Sequence, residues 1–197
     1  MIGLKTFSRG GVHPEERKTL SKDKEIWNAA VPVESVVPLQ QHIGKPAESV
    51  VSAGDEVLEG QLIGKASGMV SAHVHSPIPG VVKELRTVYP ANGIKTDAVV
   101  IELQGEFDRL GKLREPVKWR NKSRRELLEA VRNNGVVGLG GATFPTHVKY
   151  SLPRGKTCDW MILNGAECEP YLTADHRLML EMTDHVLDGL GIARTIL

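Results

Sequence analysis

The chain has 197 residues, of which 41% are hydrophobic and 25% are charged, values typical of a folded globular protein. Its 25 basic and 24 acidic residues give a net charge of +1, which argues against a nucleic-acid-binding protein that works through bulk charge. Two cysteines exclude a disulfide scaffold and a four-iron cluster held by four thiolates of these residues. The sequence contains no apolar run near the roughly 18 residues that span a bilayer, and its N-terminus lacks a signal-peptide pattern.

After an N-terminal extension over residues 1–30, residues 31–105 are predicted to form an all-β domain. Short apolar stretches recur there and are separated by turn signals such as Gly54-Asp55, Glu59-Gly60 and Asn92-Gly93. Many short strands at this spacing are typical of a small sandwich or barrel. Residues 106–122 are polar and basic, with a helix-breaking Pro116, and are interpreted as a linker.

A second domain is predicted over residues 123–197, and it begins with a helix. Ser123 and Glu126 form a capping box, and Asn134-Gly135 is a C-terminal stop signal. The apolar residues 160–163 predict a buried strand, and helical spacing resumes from about Thr183. Because a lone strand cannot form a sheet, we expect this region to be the front part of a longer α/β domain.

The β region resembles the barrel-sandwich hybrid of biotinyl and lipoyl domains, through residues 54–63 and 74–82. Such a carrier has a lysine at the tip of an exposed hairpin. Here the tip, residues 66–70, reads Ala-Ser-Gly-Met-Val, and Lys65 precedes it. A structural or docking domain is therefore favoured over a carrier. His73 and His75 alternate on this strand, and they are interpreted either as a metal pair without a third ligand in view or as ordinary strand histidines.

Two loops in the second domain carry candidate binding residues. Glycines at 138, 140 and 141 allow backbone N–H groups to approach a phosphate, and Lys149 adds a positive charge. A tight turn without a ligand explains the same glycines. Glu167 and Glu169 follow the predicted strand, where open α/β sheets bind ligands; a solvated turn is the alternative.

Taken together, the two loops resemble those of a known family. Residues 138–149 are similar to the flavin loop of the flavoprotein subunit of respiratory complex I, and residues 164–170 to its acidic segment. Residues 140–146, Gly-Gly-Ala-Thr-Phe-Pro-Thr, and residues 164–177 resemble the RnfC family of the Rnf electron transport complexes more closely. Residues 7–14 also resemble the start of that family. Complex I differs at Leu139, Ala166 and Cys168, where it has Arg, Asp and Gly.

This resemblance implies a mixed α+β protein, in which a barrel-sandwich hybrid precedes the start of a Rossmann-like domain that binds FMN and NADH. It implies that Gly138, Gly140, Gly141 and Lys149 contact FMN, and that Asn164 and Glu167 touch the flavin or its ribityl chain. The expected catalytic residues are Phe144, stacked on the nicotinamide, and Glu169, bound to the dinucleotide. Cys168 is expected to be a buried, inert thiol rather than a redox-active one.

The family also implies a wider context. The expected function is an NADH:ferredoxin/quinone-type oxidoreductase subunit, coupled to ion translocation and peripheral on the cytoplasmic side of the inner membrane. Its partners are the other Rnf subunits, and [4Fe-4S] clusters are expected only after Leu197. The alternative is a non-catalytic docking fragment that holds partner subunits through the β domain.

Overall fold

The computed structural model describes residues 14–107 and 118–197. The described part has a mixed α+β fold, as expected. Two short 3-10 helices lie at Lys18–Leu20 and Trp119–Asn121. The strands are β1 Glu34–Pro38, β2 Glu48–Ser49, β3 Glu56–Val57, β4 Leu62–Lys65, β5 Val74–His75, β6 Gly80–Val88 and β7 Thr96–Leu103. The helices are α1 Arg124–Asn133, α2 Thr146–Tyr150, α3 Ala174–Glu181 and α4 Thr183–Ile196.

The chain divides into two compact units. One comprises Met1–Asn28 and Ile162–Leu190, and the other comprises Ala29–Met161 and Gly191–Leu197. The domain boundaries predicted from the sequence stay a prediction. The opening motif at residues 7–13 and most of the predicted linker, residues 108–117, lie outside the described residues.

Two antiparallel sheets form the β domain. One has the strand order β1-β7-β6-β3 and the other has the order β2-β4-β5. The β6–β7 hairpin is in register from Gly80 opposite Leu103 to Val88 opposite Thr96, with an irregularity between Val82 and Glu84. The turn glycines Gly54 and Gly60 have φ values of 93° and 75°, in the left-handed region that favours glycine.

Both sheets contribute to one hydrophobic core. Val37 on β1, Ile63 on β4, Val82 on β6, and Val99 and Ile101 on β7 are all buried in this cluster. The apolar run at residues 98–101 is fully buried on β7, which lies between β1 and β6 in its sheet. Burial of these aliphatic side chains is the main favourable term in the stability of the domain.

The predicted helix α1 is confirmed at both ends. The Ser123 hydroxyl accepts a hydrogen bond from the Glu126 N–H, and the Glu126 carboxylate accepts one from the Ser123 N–H at 2.8 Å. This capping box satisfies backbone donors that a helix N-terminus leaves unpaired. Gly135, with a φ of 63°, follows the last turn, and Leu127 is buried on the inner face.

The strand predicted at residues 160–163 is wrong. This segment is irregular, and Trp160 and Ile162 are 88% and 85% exposed. A strand needs a ladder partner, and the strands of the described chain pair only with one another inside the β domain. The expectation of a buried Cys168 is also wrong, because both cysteines are exposed.

A matched pair of isoleucines tests the core. We expect Ile101→Ala to lower the free energy of unfolding by about 3 kcal/mol, because Ile101 is fully buried and the substitution leaves a cavity. Ile94→Ala should cost less than about 1 kcal/mol, since Ile94 is 57% exposed in the β6–β7 loop. Urea unfolding followed by circular dichroism measures both. Equal losses would contradict the assignment of the core.

Candidate functional site

The glycine loop, residues 138–144, is closed at its neck by backbone pairing. The Gly138 N–H donates to the Phe144 carbonyl at 2.9 Å, and the Thr146 N–H donates to the Val136 carbonyl at 2.9 Å. Val137 and Pro145 form an antiparallel bridge between them. The residues between the two sides therefore protrude as one closed loop.

The tip of this loop presents bare backbone. Gly140 and Gly141 are exposed, and a Cβ built on either would meet no atom within 4 Å. Gly141 has a φ of 99°, which only glycine adopts without strain. Within residues 14–107 and 118–197, neither amide N–H donates a hydrogen bond. Successive unpaired amides can bind an anion when their N–H groups converge.

Lys149 brings a positive charge to the base of the same loop. It lies on α2, which begins directly after the loop. Its ammonium occupies the space that a Cβ on Gly138 would take. Gly138 thus permits this close approach. The Gly140 and Gly141 amides, which are unpaired among the described residues, and the Lys149 ammonium beside Gly138 are groups that can bind a phosphate.

The β domain supports the loop from the other side. The Ile43 N–H donates to the Thr143 carbonyl at 3.4 Å, and Gly135 is packed so closely on the His73 backbone that a Cβ there would collide with it. A cleft of about 350 Å³ separates the loop from β5, and both His73 and Leu139 line it.

The sequence left two interpretations of His73 and His75 open. Their ring centroids are 6.4 Å apart, and the described residues contain no group of three or more His, Cys, Asp or Glu side chains placed to hold a metal. His73 instead has a local structural contact, because its Nδ1 accepts a hydrogen bond from the Ala66 N–H at 3.1 Å.

Burial lowers the pKa of four histidines in this unit. They are His42, His73, His75 and His147. The positive charge of Arg132 lowers the pKa of His73 and His147 further. The His42 Nε2 lies 3.0 Å from the Ala72 nitrogen and 3.1 Å from the Lys45 carbonyl oxygen; burial lowers the pKa of His42 more than the Lys45 contact raises it.

The acidic loop, residues 164–170, belongs to the other unit. The Asn164 Oδ1 accepts a hydrogen bond from the Ala166 N–H at 2.9 Å. The Glu167 carboxylate accepts one from the His176 N–H at 3.0 Å, in the first turn of α3. Glu169 is exposed, and no described residue binds its carboxylate. Glu169 is therefore the acidic-loop residue whose carboxylate has no partner in the described part of the chain.

The structure thus assigns the candidate residues to two groups. Gly138, Gly140, Gly141, Phe144 and Lys149 share the unit that contains the β domain. The three acidic-loop candidates, Asn164, Glu167 and Glu169, lie in the unit that contains the N-terminal segment.

Sequence reasoning missed two features of the acidic loop. Glu167 has a structural bond to α3, whereas the sequence suggested either a ligand contact or a solvated turn. Lys18, treated as part of an extension, donates to the Glu169 carbonyl at 3.1 Å. The short spacing from Glu167 to the start of α3 is a local signal that could have indicated the bond between them. No local signal indicates the contact between Lys18 and Glu169.

Two family models match this chain. Residues 5–106 match the RnfC barrel-sandwich hybrid domain, and residues 131–197 match the Nuo51 FMN-binding domain. Together they define a barrel-sandwich hybrid joined to an FMN-binding domain. The chain belongs to the RnfC family. The open glycine backbone and the Lys149 ammonium fit the phosphate of FMN, the group that the second match implies.

Curated relatives match over nearly the whole chain. It is 46% identical to the C subunit of the proton-translocating ferredoxin:NAD(+) oxidoreductase complex of Clostridium ljungdahlii, over 98% of this chain and 42% of the relative. It is 44% identical to the C subunit of the ion-translocating oxidoreductase complex of Rhodobacter capsulatus, over 96% and 37%. It is 40% identical to the C subunit of the Na(+)-translocating ferredoxin:NAD(+) oxidoreductase complex of Acetobacterium woodii, over 94% of this chain and 42% of the relative. The chain spans about two fifths of the length of these relatives.

The histidines predict a pH dependence of stability. Because their pKa values are lowered from the ordinary 6.5, folding favours the neutral rings, and the unfolded chain binds more protons below that pH. Stability is therefore complete above pH 6.5 and falls as the pH decreases. We expect the urea midpoint to be lower at pH 5.5 than at pH 7.5.

His42→Gln should flatten this dependence, because an amide oxygen can accept from the Ala72 N–H without titrating. Urea midpoints of both proteins across this pH range are the measurement. A midpoint that rises toward acid pH, or an unchanged slope in the variant, would contradict the assignment.

Proposed function

We propose that this chain forms the FMN-binding end of an oxidoreductase subunit that exchanges electrons between NADH and FMN. The observation that carries the proposal is the glycine loop, whose Gly140 and Gly141 amides are unpaired among the described residues and whose base holds the Lys149 ammonium. The match of residues 131–197 to an FMN-binding domain supports it.

In this proposal Gly138, Gly140 and Gly141 lie against FMN, and the Lys149 ammonium lies near its phosphate. When bound, FMN would supply the redox chemistry that links a two-electron hydride donor to one-electron acceptors. Phe144 lies at the end of the loop and is half-buried, so its ring can hold the nicotinamide flat against the flavin.

The acidic loop supplies the other contacts with the two ligands in this proposal. Asn164 and Glu167 face the flavin or its ribityl chain, and Glu169 accepts hydrogen bonds from the dinucleotide. Glu167 uses one oxygen on the His176 N–H, so its second oxygen remains to accept from a ligand hydroxyl. The exposed, unengaged carboxylate of Glu169 suits the ribose hydroxyls of NADH.

The names of two relatives specify ferredoxin and NAD(+), and we infer ferredoxin rather than quinone as the second redox partner. We infer that the electrons then pass to [4Fe-4S] clusters held by residues other than these 197, because the two cysteines here cannot ligate such a cluster. The other Rnf subunits are its partners, and the subunit is peripheral on the cytoplasmic side of the inner membrane.

Among the described residues, no helix has the length and apolar character needed to span a bilayer. One relative translocates protons and another translocates Na⁺ by name, so the ion is not assigned.

A docking role for the β domain accompanies this function. The domain has its own core, and Met69 at the hairpin tip is 85% exposed. A carrier role has no support, because Lys65 ends β4 and the tip itself has no lysine.

A pair of glycine variants tests the flavin site. Gly140→Ala should preserve the fold, since a Cβ there meets nothing, yet it should weaken FMN binding about tenfold or more by occupying the ligand's space. Gly189→Ala is the control, because it is equally open but lies on α4. Flavin fluorescence quenching with the full-length protein measures both. Equal affinities would overturn the assignment.

A second variant tests the nicotinamide contact. Phe144→Leu keeps the backbone carbonyl that closes the loop neck but removes the aromatic face. We expect FMN content to be unchanged and anaerobic flavin reduction by NADH to slow about tenfold, because the nicotinamide is less well oriented. Stopped-flow absorbance at the flavin band measures this rate. A wild-type rate would exclude Phe144 from the reaction centre.

A further inference from the structure

The N-terminal segment, residues 16–26, makes long-range contacts with the acidic loop. The Lys18 ammonium donates to the carbonyls of Glu169 at 3.1 Å and Leu172 at 2.9 Å, across 151 and 154 residues of sequence. The Tyr171 N–H donates to the Glu16 carbonyl at 2.7 Å. This segment therefore fixes one backbone group of the acidic loop, at Glu169, and two directly after it, at Tyr171 and Leu172.

The contacts continue along the loop and α3. The Ser21 hydroxyl donates to the Tyr171 carbonyl at 3.3 Å and lies 2.9 Å from the Thr173 hydroxyl. Farther along, the Ile26 N–H donates to both oxygens of the Glu181 carboxylate, at 3.1 and 3.0 Å. The segment thus follows the loop and then the helix that comes after it.

These contacts engage the loop's backbone and leave the Glu169 carboxylate available. Residues 162–166 have no regular secondary structure, so the loop lacks a sheet to hold it. A side chain held before its ligand arrives binds with a smaller loss of conformational entropy. A cation on two carbonyls makes stronger hydrogen bonds than a neutral donor would.

We propose that Lys18 is a positioning residue for Glu169, and that its contacts, with those of Ser21, set the affinity of the subunit for the dinucleotide. This inference rests on the proposed function, in which Glu169 binds NADH. Lys18 does not touch the ligand; it fixes the backbone from which the Glu169 carboxylate projects.

The test uses the full-length protein, with NADH oxidation by ferricyanide as the assay. Lys18→Met should raise the KM for NADH about tenfold and change kcat less than twofold, with FMN content retained. Lys18→Arg should restore most of the affinity, because a guanidinium can donate to both carbonyls. Lys24→Met is the matched control, since the Lys24 side chain bonds to no described residue.

A double-mutant cycle separates positioning from general stability. In a Glu169→Gln background, Lys18→Met should raise KM much less than it does in the wild type, because both changes act on one contact. Additive effects, or a lower Tm with unchanged KM, would overturn the proposal. If Lys18→Met does not fold, Ser21→Ala provides the same test with an expected rise in KM of about threefold.

Failure of the inference differs from failure of the proposed function. A wild-type protein that neither binds FMN nor oxidises NADH refutes both. A wild-type protein that does so, while Lys18→Met has an unchanged KM, refutes the positioning role alone.

Discussion

The neck of the glycine loop is the constraint on which the candidate flavin site depends. Hydrogen bonds from Gly138 to Phe144 and from Thr146 to Val136 bring the two sides of the loop together. Once the neck is closed, the backbone between must reverse direction. Gly141 takes a left-handed conformation there, at a position where another residue would be strained.

The same neck positions the charge and the ring. α2 starts at Thr146, one residue after Pro145, and this short helix directs Lys149 back toward Gly138. Phe144 supplies the carbonyl that closes the neck, and this hydrogen bond fixes the backbone that carries its ring. The residues proposed to bind the phosphate and to stack on the nicotinamide, Lys149 and Phe144, are thus both positioned by the neck of the glycine loop.

Each loop is supported by a different part of the chain. The glycine loop rests on the β domain, where Gly135 packs on the His73 backbone and Ile43 bonds to Thr143. The acidic loop is held within its own unit by Lys18 and Ser21. In both cases, backbone groups near the loop are hydrogen-bonded to or packed against a segment distant in sequence. Because the loop is already ordered, it loses less conformational entropy when a ligand binds.

Local sequence signals predicted the local structure well. The capping box at Ser123, the stop at Gly135 and the turns at Gly54 and Gly60 depend on neighbours within a few residues, and all are confirmed. The strand predicted at residues 160–163 failed because strand formation needs a partner that periodicity does not identify. Lys18 was missed for the same reason, since its acceptors lie more than 150 residues away. The ligand roles of the glycines and glutamates came from family resemblance and stay predictions.

The most direct test of the flavin site is nuclear magnetic resonance of the full-length protein, with glycine labelled selectively with ¹⁵N, during addition of FMN. A phosphate held by backbone amides shifts those amide protons downfield. The account predicts that the largest shifts occur at Gly140 and Gly141. FMN binding that leaves both resonances unmoved would contradict it.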